Sequence, residues 1–260
     1  MDEMSVGPSV PAGASRTTAA SDPDAPRDLR DRIHRVEAIG QLRRITEPVS
    51  RNEEMGAITY LAHQEIGAPA LLFETILDTP RGFRALWNPI GSSVDRFALA
   101  IGEPTGLGVM EMIRRCKTKF SSPIPPVVVD REGVPVNENH LYDDKVDVRL
   151  FPAARHWAGD GGEYIGTCDA IITRDPDGGW LNVGCYRQMV QGKNEVGLYL
   201  SPGKDARLHI ERYWARGEPC EVVMCWGIDP ALFIAASQTF PKTVSEFDFV
   251  GGCSAGPSSS

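Results

Sequence analysis

A proline-rich run divides this chain into two parts. Residues 121–129 contain Pro123, Pro125 and Pro126, and proline has no backbone N–H to donate to a neighbouring strand. We therefore predict an extended crossover at this run, with the boundary between two folded units near residues 118–150. A length of 260 residues is sufficient for one large domain or two small ones.

The part before the run has the pattern of an α/β unit, which we place at residues 26–120. Apolar residues at spacings of three and four between Leu29 and Ile39 predict a helix that Gly40 ends. Short apolar runs predict strands at 41–45 and 69–74, and a second helix is expected at 52–64. Residues 1–25 are rich in Ser, Ala, Pro and Thr and offer little apolar surface to bury, so we predict a disordered tail there.

The part after the run, residues 121–251, has the pattern of short strands joined by turns. Strands are predicted at 166–173, 180–190, 195–200 and 220–228, and at Val250 and Gly251. Helices are predicted at 205–216, with Asp205 as the N-cap, and from Pro230 to Ala236. Hairpin-like strands with inserted helices indicate a mixed or antiparallel sheet of the α+β class. The expected architecture is an N-terminal α/β unit, a split-barrel-like domain and an atypical tail at 252–260.

Composition excludes several classes of function. The formal net charge is −8, so a broad electrostatic surface for nucleic acid or anionic lipid is not expected. The six cysteines form no CxxC pair, which argues against a zinc ribbon or a redox dithiol. No apolar run reaches the roughly 20 residues that span a bilayer, and no secretory signal pattern is present. We therefore predict a cytoplasmic protein that binds neither nucleic acid nor membrane.

Two polar residues in an apolar strand form the first candidate site. The strand predicted at 180–190 carries Asn182 and Arg187. A buried amide needs a partner, and an arginine can bind a carboxylate. The alternatives are that Asn182 satisfies the backbone of the turn at 175–179 and that Arg187 is an ordinary surface charge.

Two further segments could supply metal ligands. His209 lies between apolar neighbours, and a neutral imidazole is a common metal ligand. Glu246 alternates with phenylalanines and needs a cation or a proton if it is buried. With Asn182 they form a nitrogen and oxygen ligand set suited to Mn²⁺ or Mg²⁺, and small and hydroxyl residues at 235–241 could expose oxygens to a cation. The alternatives are a satisfied core or surface histidine and an exposed glutamate before a strand.

Several ordered motifs resemble the UbiD-type decarboxylases. The resemblance is carried by residues 160–167, 182–188, 208–210, 235–241, 245–246 and 250–251, and by the early segments 29–45 and 67–74. It thus runs from residue 28 to residue 251. It implies an enzyme that binds prenylated FMN and performs reversible, non-oxidative decarboxylation of an aromatic or α,β-unsaturated carboxylic acid.

The resemblance also implies a metal site beside the cofactor phosphate. Asn182, His209 and Glu246 would hold a divalent ion, usually Mn²⁺, against that phosphate. Ser237 and the same glutamate would hold a nearby K⁺. The backbone carbonyls expected around that K⁺ are those near Val183, Ala235 and Gln238.

The flavin and substrate residues follow from the same motif match. Arg187 would hold the substrate carboxylate near the reacting carbon. Gln238 and Thr239 stand where relatives commonly have a Met-Pro pair. The residues expected to bind the cofactor are Thr167, Asn182, Val183, Gly184, Cys185, Tyr186, Arg187, Leu208, His209, Gln238, Thr239 and Glu246.

The implied mechanism requires partners and one further group. The modified flavin carries the chemistry, while the protein supplies orientation and a proton. A flavin prenyltransferase would supply the cofactor, and the family forms homo-oligomers. The family's acid–base glutamate lies beyond the metal glutamate, in a portion that this sequence, ending at Ser260, does not contain. We therefore hypothesise a truncation or frameshift after Gly251, or a separately encoded C-terminal half.

Three functions stay open at this point. The first is a UbiD-type carboxy-lyase, and the second is a non-catalytic flavin-binding remnant or subunit that needs a separate C-terminal half. The third is a related carboxylase that runs in the reverse direction, for example on a phenol. The residues present do not select one substrate.

Overall fold

The computed structural model of the chain describes residues 28–130, 134–241 and 244–254. The tail predicted at 1–25 lies outside these ranges, as does the part of the predicted C-terminal tail after Ser254. None of the helices in these ranges is long and apolar enough to cross a membrane.

The N-terminal unit combines helices with a three-stranded sheet. Its elements are α1 (Leu29–Ala38), β1 (Leu42–Ile45), α2 (Glu54–Ala62), β2 (Ala70–Phe73), β3 (Ala85–Trp87), α3 (Val94–Ala100) and α4 (Val109–Phe120). Strand β2 lies in the middle, parallel to β1 and antiparallel to β3. The predicted helices α1 and α2 and strands β1 and β2 are confirmed. Gly40 follows α1 with a positive φ of 71°, a conformation that glycine adopts without steric cost.

The centre of this sheet is buried because β2 is apolar throughout. All four of its residues are buried, and a strand that is covered on both faces needs a continuous apolar run. Leu71 and Phe73 pack in one cluster with Val49, Met55 and Ile76. The N-terminal unit therefore has a core of its own.

The second unit combines two three-stranded antiparallel sheets with helices. Three short 3₁₀ turns (Pro135–Asn137, Asp143–Lys145, Val148–Leu150) precede β4 (Tyr164–Gly166), β5 (Ala170–Arg174), β6 (Leu181–Gly184), β7 (Gln188–Val190), β8 (Val196–Leu198), α5 (Asp205–Ala215), β9 (Val222–Cys225), α6 (Pro230–Ala236) and α7 (Glu246–Ser254). One sheet has the order β4–β7–β8 and the other has the order β6–β5–β9. The predicted α+β class is confirmed, and the split-barrel arrangement stays a prediction.

Two predicted strands are wrong in extent because each is interrupted. The strand predicted at 166–173 consists of β4 and β5, and the strand predicted at 180–190 consists of β6 and β7. Between β6 and β7 the backbone N–H of Tyr186 donates to the Asp169 carboxylate and not to a neighbouring strand. Residues 185–187, which we call the β6–β7 break, therefore leave the regular ladder.

Three predictions at helix ends are also wrong. Val250 and Gly251 belong to α7 and not to a strand, because Phe249 and Cys253, one helical turn apart, both enter the core. The tail predicted from residue 252 accordingly begins inside α7. Asp205 is the first residue of α5 and not its cap, since Lys204 holds the N-cap position.

Helix α7 is held by a core that both units share. Side chains of α3, α4, α6 and α7 form this cluster: Ala98, Ala100, Ile101, Met112, Ala231, Ile234, Ala235, Phe249 and Cys253. The buried Lys119 ammonium adds a polar tie, donating to the Cys253 carbonyl at 3.0 Å. Residues 123–129 of the predicted crossover form no helix or strand, and there the Ile124 N–H donates to the Asp248 carbonyl at 2.7 Å. The position of Glu246, the first residue of α7, is therefore fixed by packing.

Candidate functional site

Strands β5 and β6 bring Asn182 and His209 to one face of a sheet. Thr173 pairs directly with Asn182 in the antiparallel register, so the two side chains point to the same face. The Thr173 hydroxyl is 3.0 Å from Nδ1 of His209, which α5 supplies. Asn182 is 3% exposed and His209 is 2% exposed. Two predicted metal ligands from distant segments therefore lie on either side of one threonine.

The surroundings of His209 favour a neutral imidazole. Burial lowers its pKa, while the carboxylate of Asp175, 3.8 Å from Nε2, opposes that shift. The Trp180 ring packs edge-on against the imidazole at 5.0 Å. An imidazole that donates from Nδ1 to Thr173 presents the lone pair of Nε2, and Nε2 has no hydrogen-bond partner among the described residues. His209 is thus only half satisfied, which is the state expected of a metal ligand.

Asn182 does not serve the turn that precedes it. Asp175 takes that role, because its Oδ1 accepts the backbone N–H groups of Asp177 and Gly178. The Asn182 amide nitrogen forms no well-aligned hydrogen bond within the described ranges, although Asn182 lies close enough to the Tyr186 hydroxyl to oppose the rise in its pKa. Turning the amide by 180° would present its oxygen at the same place. The alternative that Asn182 satisfies the hairpin is therefore wrong.

Glu246 joins the same strand from α7. Its Oε2 accepts the backbone N–H of Val183 at 2.9 Å, directly beside Asn182. The residue is 4% exposed, so the alternative of an exposed glutamate before a strand is wrong. Burial raises the pKa of Glu246, and the carboxylate of Asp205 adds to the shift. This carboxylate makes no ion pair with a described residue, so its charge calls for a proton or a metal ion.

The three predicted ligands therefore lie around the paired strands β5 and β6. Across residues 28–130, 134–241 and 244–254, no group of three or more His, Cys, Asp or Glu side chains is arranged to hold a metal ion. A site here would depend on the Asn182 amide as its third ligand. Two buried polar atoms without partners and one buried carboxylate fit such a site.

The thiols near the site are unsuited to metal binding or to nucleophilic attack. Burial raises the pKa of Cys168 to about 12 and that of Cys185 to about 11. Both groups are therefore protonated at neutral pH, whereas metal ligation and nucleophilic attack need the thiolate. The chemistry of the site is that of nitrogen and oxygen ligands.

Tyr186 folds back over the end of β6. A Cβ atom placed on Gly184 would collide with the Tyr186 ring, so the ring occupies the space that any other residue at 184 would fill. Burial raises the pKa of Tyr186, so its hydroxyl is protonated at neutral pH.

Replacing Gly184 by alanine is expected to lower the free energy of unfolding by about 1–3 kcal/mol, because the added methyl overpacks the ring. Urea unfolding measures this. Adding Tyr186→Ala should cost less in the Gly184→Ala background than in the wild-type chain, because there the loss of the ring also relieves the collision. Equal costs in the two backgrounds would show that Gly184 and Tyr186 are not in contact.

Each residue of the β6–β7 break is held by a different element. The Cys185 N–H donates to the Ala236 carbonyl at the end of α6 at 3.0 Å, and the Tyr199 N–H donates to the Arg187 carbonyl at 3.2 Å. The Tyr186 N–H donates to Oδ1 of Asp169 at 3.2 Å. The break is thus an anchored irregular segment and not a loose loop.

Arg187 projects from this break towards solvent. Its guanidinium carbon lies 5.4 Å from the centre of the Tyr199 ring, and it forms no ion pair with any described residue. A guanidinium that is held on an aromatic face and has no carboxylate partner is available to bind an external carboxylate.

The end of α6 lies beside the break, as the K⁺ prediction requires. The Ala235 carbonyl already accepts the backbone N–H of Gln238, and the Ser237 hydroxyl donates to the Phe233 carbonyl. Ser237, Gln238 and Thr239 are exposed. Exposed oxygens are therefore present, but the structure does not show them gathered around one point.

A cavity lies between the N-terminal unit and the second unit. Its volume is about 570 Å³, and it does not include Asn182, His209 or Glu246. It does reach Thr167, whose carbonyl accepts the Cys185 thiol at 3.5 Å. Aromatic and polar side chains line it, among them Arg84, Trp87, Phe151, His156 and Trp226. Leu208, the neighbour of His209, is half-buried elsewhere.

Sequence reasoning missed three residues that organise the site. Thr173 orients His209, and the buried pair Asp169 and Gln188 anchors the break. Their roles depend on the register between strands, which no local pattern reveals. A buried aspartate directly before an apolar strand was the only available signal.

Family models and known relatives match most of the chain. Residues 127–259 match the family described as 3-octaprenyl-4-hydroxybenzoate carboxy-lyase Rift-related domain, and residues 33–116 match the N-terminal domain of that family. A pyrrole-2-carboxylic acid decarboxylase of Pseudomonas aeruginosa is 31% identical over 231 residues, which are 86% of this chain and 46% of that protein.

Solved structures agree with this result. Vanillic acid decarboxylase of Sedimentibacter hydroxybenzoicus in a closed form superposes with a TM-score of 0.82 at 28% identity, over 88% of this chain and 48% of that one. An evolved dimeric form of the UbiD-class enzyme HmfF from Pelotomaculum thermopropionicum, in complex with prFMN, gives 0.78 at 26% identity, over 88% and 51%. The chain spans about half the length of the relatives it matches.

Proposed function

The chain belongs to the UbiD family of carboxy-lyases, and on that premise we propose that it binds prenylated FMN and acts in the reversible decarboxylation of an aromatic or α,β-unsaturated carboxylic acid. The observation that carries the proposal is the placement of Asn182, His209 and Glu246 around the paired strands β5 and β6, where Nδ2 of Asn182 and Nε2 of His209 make no hydrogen bond to a described residue. A solved relative in complex with prFMN supports the flavin.

In this proposal Asn182, His209 and Glu246 hold Mn²⁺ or Mg²⁺. Their donor set is neutral nitrogen, amide oxygen and carboxylate, which suits these ions better than a thiolate-preferring one. The carboxylates of Asp205 and Glu246 make the surroundings negative. A flavin phosphate needs a cation between itself and these groups. The metal ion would supply that charge.

The β6–β7 break and the end of α6 would line the flavin. Backbone atoms of Gly184 and Cys185, the Thr167 segment and the exposed Gln238 and Thr239 are the groups assigned to it, and Ser237 is assigned to a K⁺ ion. When bound, the prenylated flavin supplies an electron sink for the pair left on carbon as CO₂ departs. The chain's own contribution is to bind and orient.

Arg187 orients the substrate in this scheme. Its guanidinium pairs with the carboxylate that is to be lost and so fixes the acid relative to the flavin. The acid–base glutamate of the family lies in the part of the relatives that this chain does not span. The described residues therefore account for binding and orientation, and the proton donor is assigned to that other part.

The cellular setting follows from the same proposal. A flavin prenyltransferase would supply the cofactor, and the active form would be a homo-oligomer. The cytoplasm is the proposed compartment, which the six free cysteines support.

Co-expression with a flavin prenyltransferase tests the proposal. The purified chain should show flavin absorption and bound Mn²⁺. With the C-terminal half of a relative supplied, CO₂ release is measured on pyrrole-2-carboxylate and vanillate as trial substrates. Arg187→Gln should retain flavin and metal but lower kcat/KM by roughly 10- to 100-fold, the usual value of a hydrogen bond to a charged group. Arg43→Gln, an exposed arginine of β1, is the matched control and should leave kcat/KM unchanged.

The same experiment separates the second candidate function. A non-catalytic flavin-binding chain would show flavin and metal without CO₂ release even when that half is supplied, and Arg187→Gln would then change nothing measurable. A folded chain with neither flavin nor metal would overturn both functions.

A further inference from the structure

We infer that Asp169 is a positioning residue for the β6–β7 break, acting through a directional chain of hydrogen bonds with Gln188 and Trp226. This inference rests on the proposed flavin site, because the break is the segment that the flavin would contact. The chain ends on the backbone of Tyr186, next to Arg187.

The two central residues of this series of hydrogen bonds are buried. Asp169 and Gln188 are both 0% exposed. Oδ2 of Asp169 accepts Nε2 of Gln188 at 2.6 Å, and Oδ1 accepts the backbone N–H of Tyr186. Oε1 of Gln188 in turn accepts the indole N–H of Trp226 at 3.0 Å. Gly166 leaves room for this contact, since a Cβ there would collide with both Asp169 and Gln188.

The direction of every bond is set at Trp226. An indole N–H can only donate, so Gln188 must turn its amide oxygen towards the indole and its NH₂ group towards Asp169. Asp169 must then accept on both oxygens, one for Gln188 and one for the Tyr186 N–H. A carboxylate meets this demand, whereas an amide at the same position would place one NH₂ group against another.

Asp169 has no charged partner to explain its burial. It forms no ion pair with any residue that the structure describes, and burial raises its pKa. A buried carboxylate without a cation is costly to the fold. Trp226 lies in the wall of the 570 Å³ cavity. The chain of bonds therefore runs from that wall to the break that carries Arg187.

Exchanging the carboxylate at position 169 and the amide at position 188 tests the direction of these hydrogen bonds without changing side-chain volume or net charge. Asp169→Asn alone places two NH₂ groups face to face, and Gln188→Glu alone places two carboxylates face to face. With both substitutions, the carboxylate at position 188 accepts from the indole and from the new amide at position 169. The oxygen of that amide still accepts the Tyr186 N–H. The pattern of donors and acceptors is thereby restored.

We expect each single substitution to raise the Kd for FMN in the presence of Mn²⁺ by about 10-fold. The double variant should return to within about 3-fold of the wild-type chain, because its bonds are again complementary. Val49→Ala, a core change in the N-terminal unit, is the control for destabilisation and should leave the Kd unchanged. The ¹H–¹⁵N resonance of Tyr186 should shift in the single variants and return in the double variant.

Three results would overturn the inference. The first is additive losses in the double variant, and the second is an Asp169→Asn chain that loses stability as Val49→Ala does while keeping its FMN affinity. The third is a Tyr186 resonance that does not respond to Asp169→Asn. If the wild-type chain binds no FMN, the proposed function fails, and the Tyr186 resonance still decides whether Asp169 positions the break.

Discussion

The His209→Ala chain is expected to lose Mn²⁺ binding and Mn²⁺-dependent FMN binding, each by at least about 100-fold. Substitution of a residue that only supports a metal ligand already lowers metal affinity by about 10- to 100-fold. The imidazole is neutral, buried and bonded through Nδ1 to Thr173, which leaves Nε2 free to bind a metal ion. Metal analysis and FMN fluorescence titration measure the two losses.

The loss of Mn²⁺ affinity should be smaller for residues that lie further from the metal ion. Thr173→Val removes only the bond that orients the imidazole, and we expect a loss of about 10-fold in Mn²⁺ affinity. His34→Ala, an exposed histidine of α1, is the control and should bind as the wild-type chain does. His209→Ala also lowers the free energy of unfolding, by about 1–3 kcal/mol, because the Thr173 hydroxyl loses its hydrogen-bond partner. A folded His209→Ala chain that still binds Mn²⁺ would remove His209 from the site.

Local sequence patterns were sufficient to predict the elements whose apolar residues follow one regular pattern throughout. Helix α1 shows its apolar face in the spacing of its residues, and β2 shows its burial in an uninterrupted apolar run. The ligands Asn182, His209 and Glu246 were predicted by motif resemblance, and the structure brings them to two neighbouring strands, β5 and β6. Their assignment as metal ligands is still a prediction.

Other features depended on tertiary contacts and could not be predicted locally. Residues 246–249 alternate between acidic and aromatic side chains, which imitates the period of a strand. Packing of Phe249 and Cys253 against α6 selects the helix instead. The break at 185–187 likewise depends on the carboxylate of Asp169, the residue that directly precedes β5. A pattern within one segment carries no information about a partner that is distant in sequence.

Glu246→Gln is expected to stabilise the metal-free chain or leave it unchanged, and to lower Mn²⁺-dependent FMN affinity by about 100-fold. In the metal-free chain the Glu246 carboxylate is buried without a cation and accepts one backbone N–H from Val183. A glutamine can accept the same N–H without a buried charge. Only a metal ion makes the carboxylate favourable, so the substitution should separate stability from binding.

The pH dependence provides an independent check of this assignment. Burial raises the pKa of Glu246 above its ordinary value of 4.5, so the folded chain binds more protons than the unfolded chain between the two values. The contribution of Glu246 to stability is therefore complete below pH 4.5 and is lost as the pH rises through the folded pKa. Urea unfolding of the metal-free chain should show this fall, and Glu246→Gln should remove it, whereas Glu218→Gln, an exposed control, should not.

Because a proton and Mn²⁺ compete for the same carboxylate, Mn²⁺ affinity should weaken as the pH is lowered through this window. Mn²⁺ affinity that is independent of pH across this window would show that Glu246 is not a ligand.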